Sequence, residues 1–387
     1  MRNVEKRQKD VLRLVEKLDI TPTMFEAAKE RYTNLGKYLQ SKNPDFDIYP
    51  QGSFAIGTVI RPLKKNHSFD LDFIINSGKY CNDTTPKETK LQIKGYLDEN
   101  QVYKDKMDKT EYDKCWTLVY EDEFSMDIVP SVYFNKEKGT EIAITNKIGL
   151  NYSWYISNPK AYRDWFDKIN QPFKFHSWLG NRSKIFSEYR GTLYSSIEEI
   201  PEELNRSALQ RVIQIIKRHR DIYYDKCKKS KKKPSSVIIT TLSAQIADLE
   251  RNKSIGVFSL LSNIANALKI NTKKKVVGAQ YFLATYGNKY NQIEYKNNQW
   301  YLPNPINPND NLVDAWNNDA EIVSIFNDWI KQLKEDFVDG FSKSDEQFVA
   351  TLTNSFGSDF VNNNLNKSKY EIHPPKQIIA TPKPWGA

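Results

Sequence analysis

The amino-acid sequence predicts an α+β (mixed α/β) protein of two lobes, and three patterns carry that prediction. Phe69, Leu71 and Phe73 alternate with Asp70, Asp72 and Ile74, the period of a strand that sends apolar side chains to one face and both carboxylates to the other. Trp116–Tyr120 and Phe124–Val132, separated by Glu121–Glu123, read as two more strands joined by a turn. In the second half Leu209, Val212, Ile213 and Ile216 recur at i, i+3, i+4 and i+7, the stripe of a buried helix face.

Taken in chain order, Val4–Leu18 and Pro22–Gln40 read as helices ahead of the sheet, the second capped by Thr21 with Pro22 at the first helical position. Residues 45–160 hold the strands and loops of a mixed, twisted sheet, with a helix near Thr89–Asn100. Tyr152–Arg190, rich in Trp and Tyr, shows no period and is left unassigned. From about residue 205 the chain reads as helical. Gln210, Gln214, Lys217 and Asp221 lie opposite the apolar stripe, a face that by itself reads as solvent coating. The last helix falls near Ser344–Leu352, and the stretch from Ile372 to Ala387, with four prolines and no helical period, reads as an extended tail.

Composition narrows the class. At 387 residues the chain can bury one large core or two lobes, and 39% hydrophobic with 13% aromatic residues argues against disorder. No run approaches the roughly 18 to 20 apolar residues of a membrane span, and the charged stretch Met1–Asp10 is not followed by a signal-peptide apolar core; the expected location is the cytoplasm. Cys81, Cys115 and Cys227 are too scattered for a disulfide framework, and His67, His176, His219 and His373 form no ligand cluster, so structural zinc is not expected. The net charge of +9 suits nonspecific nucleic-acid binding or the attraction of polyphosphate substrates; we favour nucleotides over duplex DNA. Lys226–Lys233, six lysines in eight positions, reads as a solvated loop joining two helices.

The chemistry concentrates in residues 51–127. Asp70 and Asp72 on one strand face repel each other and call for a cation, and Asp127, with Ser125, faces away from the apolar Phe124, Met126 and Ile128. Three carboxylates on neighbouring strands suit Mg²⁺, a hard ion that takes oxygen ligands and is shared with phosphates, commonly as two ions about 3.5–4 Å apart that clamp an in-line displacement. Upstream, Gly52 allows close backbone approach, and Ser53 offers an N–H and a hydroxyl to a phosphate oxygen. Gly57-Thr58 follows.

These motifs resemble the DNA polymerase beta-type nucleotidyltransferase superfamily and, within it, the bacterial relatives of cyclic GMP-AMP synthase (CD-NTases), the cyclic oligonucleotide synthases of anti-phage CBASS signalling. The segment from Leu209 to Asp221 resembles that family's long helix after the catalytic core. Pro234 to Leu242 resembles the helix start that follows it, and Asn304 to Trp316 a segment near the end of the helical lobe. The resemblance implies a nucleotidyltransferase core with amino-terminal helices over residues 1–205, an oligoadenylate-synthase-like helical lobe over 206–370, a tail over 371–387, and an active site in the cleft between the lobes.

It also implies roles. Asp70, Asp72 and Asp127 would hold two Mg²⁺ ions, or Mn²⁺ in their place. Gly52, Ser53, Lys217 and the Ser235-Ser236 pair would hold the triphosphate of a donor nucleotide. The product would be a cyclic di- or trinucleotide second messenger that acts on a downstream effector not bound by the synthase. Val237 departs from the aromatic that stacks on the base in the animal enzyme, and the zinc-held DNA-binding insertion of that enzyme is not visible in this sequence. Gly386-Ala387 would be the reactive end for a ubiquitin-type activating and conjugating (E1/E2-type) partner. The alternatives are an RNA- or tRNA-directed nucleotidyltransferase or linear oligoadenylate synthase, a nucleotidyltransferase toxin, and a degenerate nucleotide-binding scaffold.

Overall fold

A computed structural model describes residues 2–62, 69–121, 124–136, 139–174, 206–250, 255–272 and 292–370. The predicted tail with Gly386 and Ala387, the basic turn after Pro62, and His67, His176 and His373 lie outside them. Helices α1 (Arg2–Glu16) and α2 (Pro22–Lys42) come first. Thr21 caps α2 as expected, its hydroxyl accepting from the Met24 amide at 3.1 Å. The sheet elements then follow as β1 (Asp47–Pro50), a single turn α3 (Gly52–Ala55), β2 (Phe69–Tyr80), α4 (Pro86–Glu99), α5 (Gln101–Lys106), β3 (Trp116–Tyr120), β4 (Phe124–Tyr133), β5 (Ile142–Ile148) and β6 (Asn151–Ser157). The previously unassigned stretch resolves into β6 and helix α6 (Pro159–Lys174); its remainder is outside the described residues.

Strand order is β1-β2-β4-β5-β6. Strands β2 and β4 run parallel, whereas β3 lies antiparallel along residues 124–128 of β4, and β5 pairs with residues 131–133. Two strands thus share one edge of β4 end to end, and the first of them carries a residue opposite Asp127. One face of the sheet is apolar: Phe69, Leu71, Phe73, Leu118, Phe124, Met126 and Ile128 pack with Phe25, Ala28, Tyr32, Leu35 and Leu39 of α2 and with Ile93 and Leu97 of α4. Each Phe, Leu, Ile or Met among them contributes about 1.5–3 kcal/mol by leaving water, which fixes the strand register and sends the intervening carboxylates to the opposite face.

The helical part comprises α7 (Ala208–Lys226), α8 (Ser236–Asp248), α9 (Val257–Thr272), α10 (Ala320–Lys334), α11 (Asp345–Phe356) and α12 (Ser358–Asn364), with a β7-β8 hairpin (Glu294–Lys296 and Gln299–Tyr301). Helix α12, beyond the expected last helix, starts after Gly357, whose φ of +97° breaks α11. The helical core also takes in Val11, Leu14, Val15 and Leu18 at the end of α1, and Phe166, Ile169 and Phe173 of α6, so it draws on both sides of residue 205. Arg7 pins α1 to the far end of the chain, donating to the carbonyls of Phe341 (2.7 Å) and Lys343 (2.6 Å) and pairing with Asp345.

One reading from sequence is corrected here. The polar face of α7 is not solvated. Gln210, Gln214 and Lys217 are buried and donate to the carbonyls of Ile56 (2.9 Å), Val59 (2.8 Å) and Thr58 (3.0 Å), while Arg218 reaches that of Arg61 (2.7 Å). The segment 56–61 has no strand partner, and the helix supplies the donors that its buried carbonyls require. The lysine run is, as read from the sequence, a largely exposed connection between α7 and α8; within it Lys229 and Lys232 pair with Glu321 and Asp319 at the start of α10, and Lys233 pairs with Asp221. His219 is structural. The Trp329 indole N–H donates to its Nδ1 at 2.9 Å, which leaves Nε2–H to donate to Asp336 at 3.0 Å.

Candidate active site

Register brings the acidic group together. Asp72 is paired with Asp127 across β2 and β4, Asp127 with Thr117 across β3, and Asp70 with Ser125. The Thr117 hydroxyl donates to Asp127 Oδ1 at 2.6 Å, and the Ser125 hydroxyl donates to Asp70. Burial, then the charges of Asp127 and Asp70, push the Asp72 carboxyl up to about 7, against the opposing pull of Lys217. Burial also raises Asp127, with the Thr117 hydroxyl working the other way. Beside it the Cys115 thiol is held up at about 12, chiefly by burial, and so presents no thiolate.

The donor set fits a hard divalent cation: only carboxylate oxygens, on one side of one sheet, with a mutual repulsion that positive charge would remove. As the side chains stand, no group of three acidic, histidine or cysteine residues among the described residues is arranged to hold an ion. Asp70 and Asp127 each hold a hydroxyl donor instead, and ligation would exchange those donors for metal.

The turn at Gly52 stands directly over this group. Its φ is +63°, and a β-carbon there would fall 2.4 Å from Asp72 Oδ2, so both backbone conformation and space require glycine. The Gln51 amide donates to the Asp72 carbonyl at 2.8 Å, and the Thr58 amide to that of Ser53 at 2.9 Å, tying the turn to β2 and closing it. A cavity of about 300 Å³ opens beside the turn, lined by Gly52, Ser53, Thr58, Asp72, Lys217 and Ser236 among others. Thr58 Oγ1 is buried without a hydrogen-bond partner among the described residues.

Opposite the carboxylates the charge is reversed. Lys217 is buried, and desolvation, aided by Arg220, draws its ammonium down to about 7, while Asp221 and Asp72 oppose the fall. Arg220, pinned by Asp221 at 2.7 Å, donates to the Pro234 carbonyl at 3.0 Å and to Ser236 Oγ at 3.3 Å. Guanidinium cannot accept a hydrogen bond, so the Ser236 hydroxyl keeps its own proton to donate elsewhere. Ser235 occupies the N-cap of α8 with no side-chain capping bond.

Of the residues singled out from sequence, Gly52, Ser53, Asp72, Lys217 and Ser236 line the cavity. Asp70, Asp127 and Ser235 adjoin it through strand register or chain neighbourhood and do not line it. Thr58 of the Gly57-Thr58 motif lines it too, and sequence reasoning assigned no role to Tyr162, Arg163, Thr240, Asn304, Ile306 and Asn307, which also line it. Asn304 and Asn307 lie in a segment already noted for its resemblance; nothing periodic or motif-like flags Tyr162.

Comparison with known proteins places the geometry in context. Residues 6–170, which carry Gly52, Ser53 and all three aspartates, match the Second Messenger Oligonucleotide or Dinucleotide Synthetase domain. The chain is 28% identical over 347 residues to the c-di-GMP synthase of Roseivirga ehrenbergii, covering 87% of this chain and 80% of that protein. Its fold is that of the Bradyrhizobium diazoefficiens CD-NTase CdnG, solved in complex with GTP, at a TM-score of 0.67 and 18% identity over 94% of this chain and 99% of that one. Escherichia coli MS115-1 CdnC, solved in a complex with HORMA-deltaN, shares it at a TM-score of 0.57 and 15% identity, over 91% and 97% of the two chains. Among the described residues no helix is long and apolar enough to cross a membrane.

Proposed function

We propose that this chain, whose residues 6–170 match the Second Messenger Oligonucleotide or Dinucleotide Synthetase domain, joins nucleoside triphosphates into a cyclic oligonucleotide second messenger with release of pyrophosphate, in anti-phage signalling. The observation that carries the reading is the convergence of Gly52, Ser53, Asp72, Lys217 and Ser236 on one cavity. One side offers Asp72, with Asp70 and Asp127 adjoining it, for cations, and the other a cation and hydroxyl donors for phosphate. The name of the Roseivirga relative and the GTP of the Bradyrhizobium structure support guanine nucleotides as the first substrates to supply.

In this mechanism the triphosphate of the donor nucleotide lies along the Gly52 turn, where no β-carbon intervenes. Ser53 and Ser236 donate hydroxyls to its terminal phosphates, and Lys217 places a point charge against them. Phosphate brings Lys217 the counter-charge that burial withholds, so binding favours its protonated form. Asp70, Asp72 and Asp127 would hold two Mg²⁺ ions, or Mn²⁺, whose positive charge would lower the pKa of an attacking ribose hydroxyl and stabilise the departing oxygen. The strand register that pairs Asp72 with Asp127 would keep the carboxylates that hold those ions in place without movement of the backbone. A second attack by the free hydroxyl of the linear product on its own triphosphate closes the ring.

The test is incubation of the purified protein with the four nucleoside triphosphates and Mg²⁺, phosphatase treatment, and mass spectrometry of what survives. A phosphatase-resistant product absent from Asp127→Ala supports the reading; open-chain or RNA-dependent products contradict it in favour of a linear or RNA-directed nucleotidyltransferase. A second proposal concerns Gly386-Ala387, which an E1/E2-type partner would join to a target amine, as the family resemblance implies. Residues appended after Ala387 should then block conjugation while synthesis continues, and conjugation of an extended chain would refute it.

A further inference from the structure

We propose that Tyr162 is the platform on which the base of a bound nucleotide stacks, an assignment that rests on the nucleotide-binding reading above. Val237, which lines the cavity, has no ring to offer a base, so a stacking surface must come from another part of the cavity wall. Among the described residues that line the cavity, Tyr162 carries the only aromatic ring. The cavity that this ring lines also receives Ser53, Lys217 and Ser236, the groups assigned to phosphate. A single molecule with an anionic end and a flat heteroaromatic end matches that distribution.

The ring is held for the task. Tyr162 sits in the first turn of α6, its amide donating to the Asn158 carbonyl at 3.0 Å, while the Ala161 amide donates to Asn158 Oδ1 at 3.1 Å. Its hydroxyl is 2.9 Å from Thr241 Oγ1 of α8, the helix whose first residue is Ser236. Trp165, one helical turn on, packs against it with ring centroids 5.2 Å apart. With the hydroxyl engaged by Thr241, the ring is the part of Tyr162 left to meet a ligand in the cavity it lines, and a fixed ring stacks without first losing rotational freedom. A ring face does not read base edges, so Tyr162 contributes to affinity for any nucleotide and leaves discrimination between bases to polar groups elsewhere on the wall.

The experiment is equilibrium binding, with Mg²⁺ present, of GTP, ATP and inorganic tripolyphosphate to the wild-type chain, Tyr162→Leu and Tyr162→Phe. Loss of a base–aromatic stack weakens binding by about 5- to 150-fold. Tyr162→Leu should show that loss for GTP and ATP alike while tripolyphosphate binding is unchanged, and Tyr162→Phe, which keeps the ring, should bind both nucleotides within about twofold of wild type. Undiminished nucleotide binding by Tyr162→Leu would overturn the assignment. So would an equal loss for tripolyphosphate, or a Tyr162→Phe variant as weak as Tyr162→Leu, since either would assign the effect to the Thr241 contact or to local packing. Wild-type protein that binds neither nucleotide would overturn the nucleotide reading and this assignment together.

Discussion

The two walls of the cavity differ in charge and in construction. The acidic wall is Asp72, backed by strand pairing: Asp70 lies two residues away on β2, and hydrogen-bond register sets Asp127 beside Asp72. The basic wall is assembled from separate stretches of chain, with Lys217 on α7 bonded to the Thr58 carbonyl and Ser236 on α8 held by Arg220. Burial displaces both walls toward neutrality, lifting Asp72 and lowering Lys217 to about 7 each. A wall of carboxylates that resists full ionisation invites cations, and a buried ammonium short of counter-charge invites phosphate. The division teaches that the sheet should govern the chemical step and the helices the hold on the triphosphate.

Removing a carboxylate from the sheet should have the largest effect. Asp72→Asn keeps the shape and removes the charge, and steady-state turnover of GTP should fall by about a thousandfold or more. Gly52→Ala comes next, because its methyl group meets the Asp72 carboxylate and its φ of +63° is strained for alanine. Displacement of reacting groups by about 1 Å costs on the order of 100-fold in rate, to be read in turnover, with a loss of roughly 1–2 kcal/mol in denaturant melts. On the helical wall, Arg220→Lys keeps the charge but loses the fork that holds Pro234 and Ser236. It should raise KM for triphosphate about fivefold with kcat little altered; a fall in kcat alone would erase the division.

The smallest effect sharpens the electrostatic half of the comparison. Asp72 has a folded pKa near 7, above the roughly 3.9 of an unfolded aspartate. Its ionisation therefore opposes folding, and the metal-free protein should lose stability as pH rises from about 4 to about 7. Asp72→Asn escapes that loss. Its melting temperature without metal should exceed that of wild type by a few degrees at pH 7 and by less at pH 5, as thermal scans at the two pH values would show. A variant equally stable or less stable at pH 7 would mean that the carboxylates do not repel one another as described.

The same contrast explains what could be read from the sequence. Period-2 alternation located β3 at Trp116–Tyr120 and placed the carboxylate face of β2, because a strand's two faces are written in adjacent residues. The N-cap at Thr21 and the buried stripe of α7 were legible for the same reason, each depending on residues within two helical turns. The buried polar face of α7 was not: Gln214 and Lys217 are buried by carbonyls of Val59 and Thr58, more than 150 residues away in the chain, and no local pattern records that contact. Tyr162 and Asn304–Asn307 reach the cavity by tertiary packing, so only the structure brings them to Ser53. Lys217 and Ser236 were singled out by resemblance, which carries tertiary information that composition and period lack.

The central claim, that sheet and helices divide chemistry from triphosphate binding, is tested most directly by measuring initial rates against GTP concentration for Asp127→Ala and Lys217→Ala, with direct GTP binding measured on both. The account predicts that Asp127→Ala binds GTP within a few-fold of wild type but scarcely turns it over. Lys217→Ala should approach wild-type kcat only at GTP concentrations about 10- to 100-fold higher, the loss expected of one buried charge on phosphate. Turnover by Asp127→Ala near the wild-type rate, or a Lys217→Ala variant with unchanged KM, would contradict it.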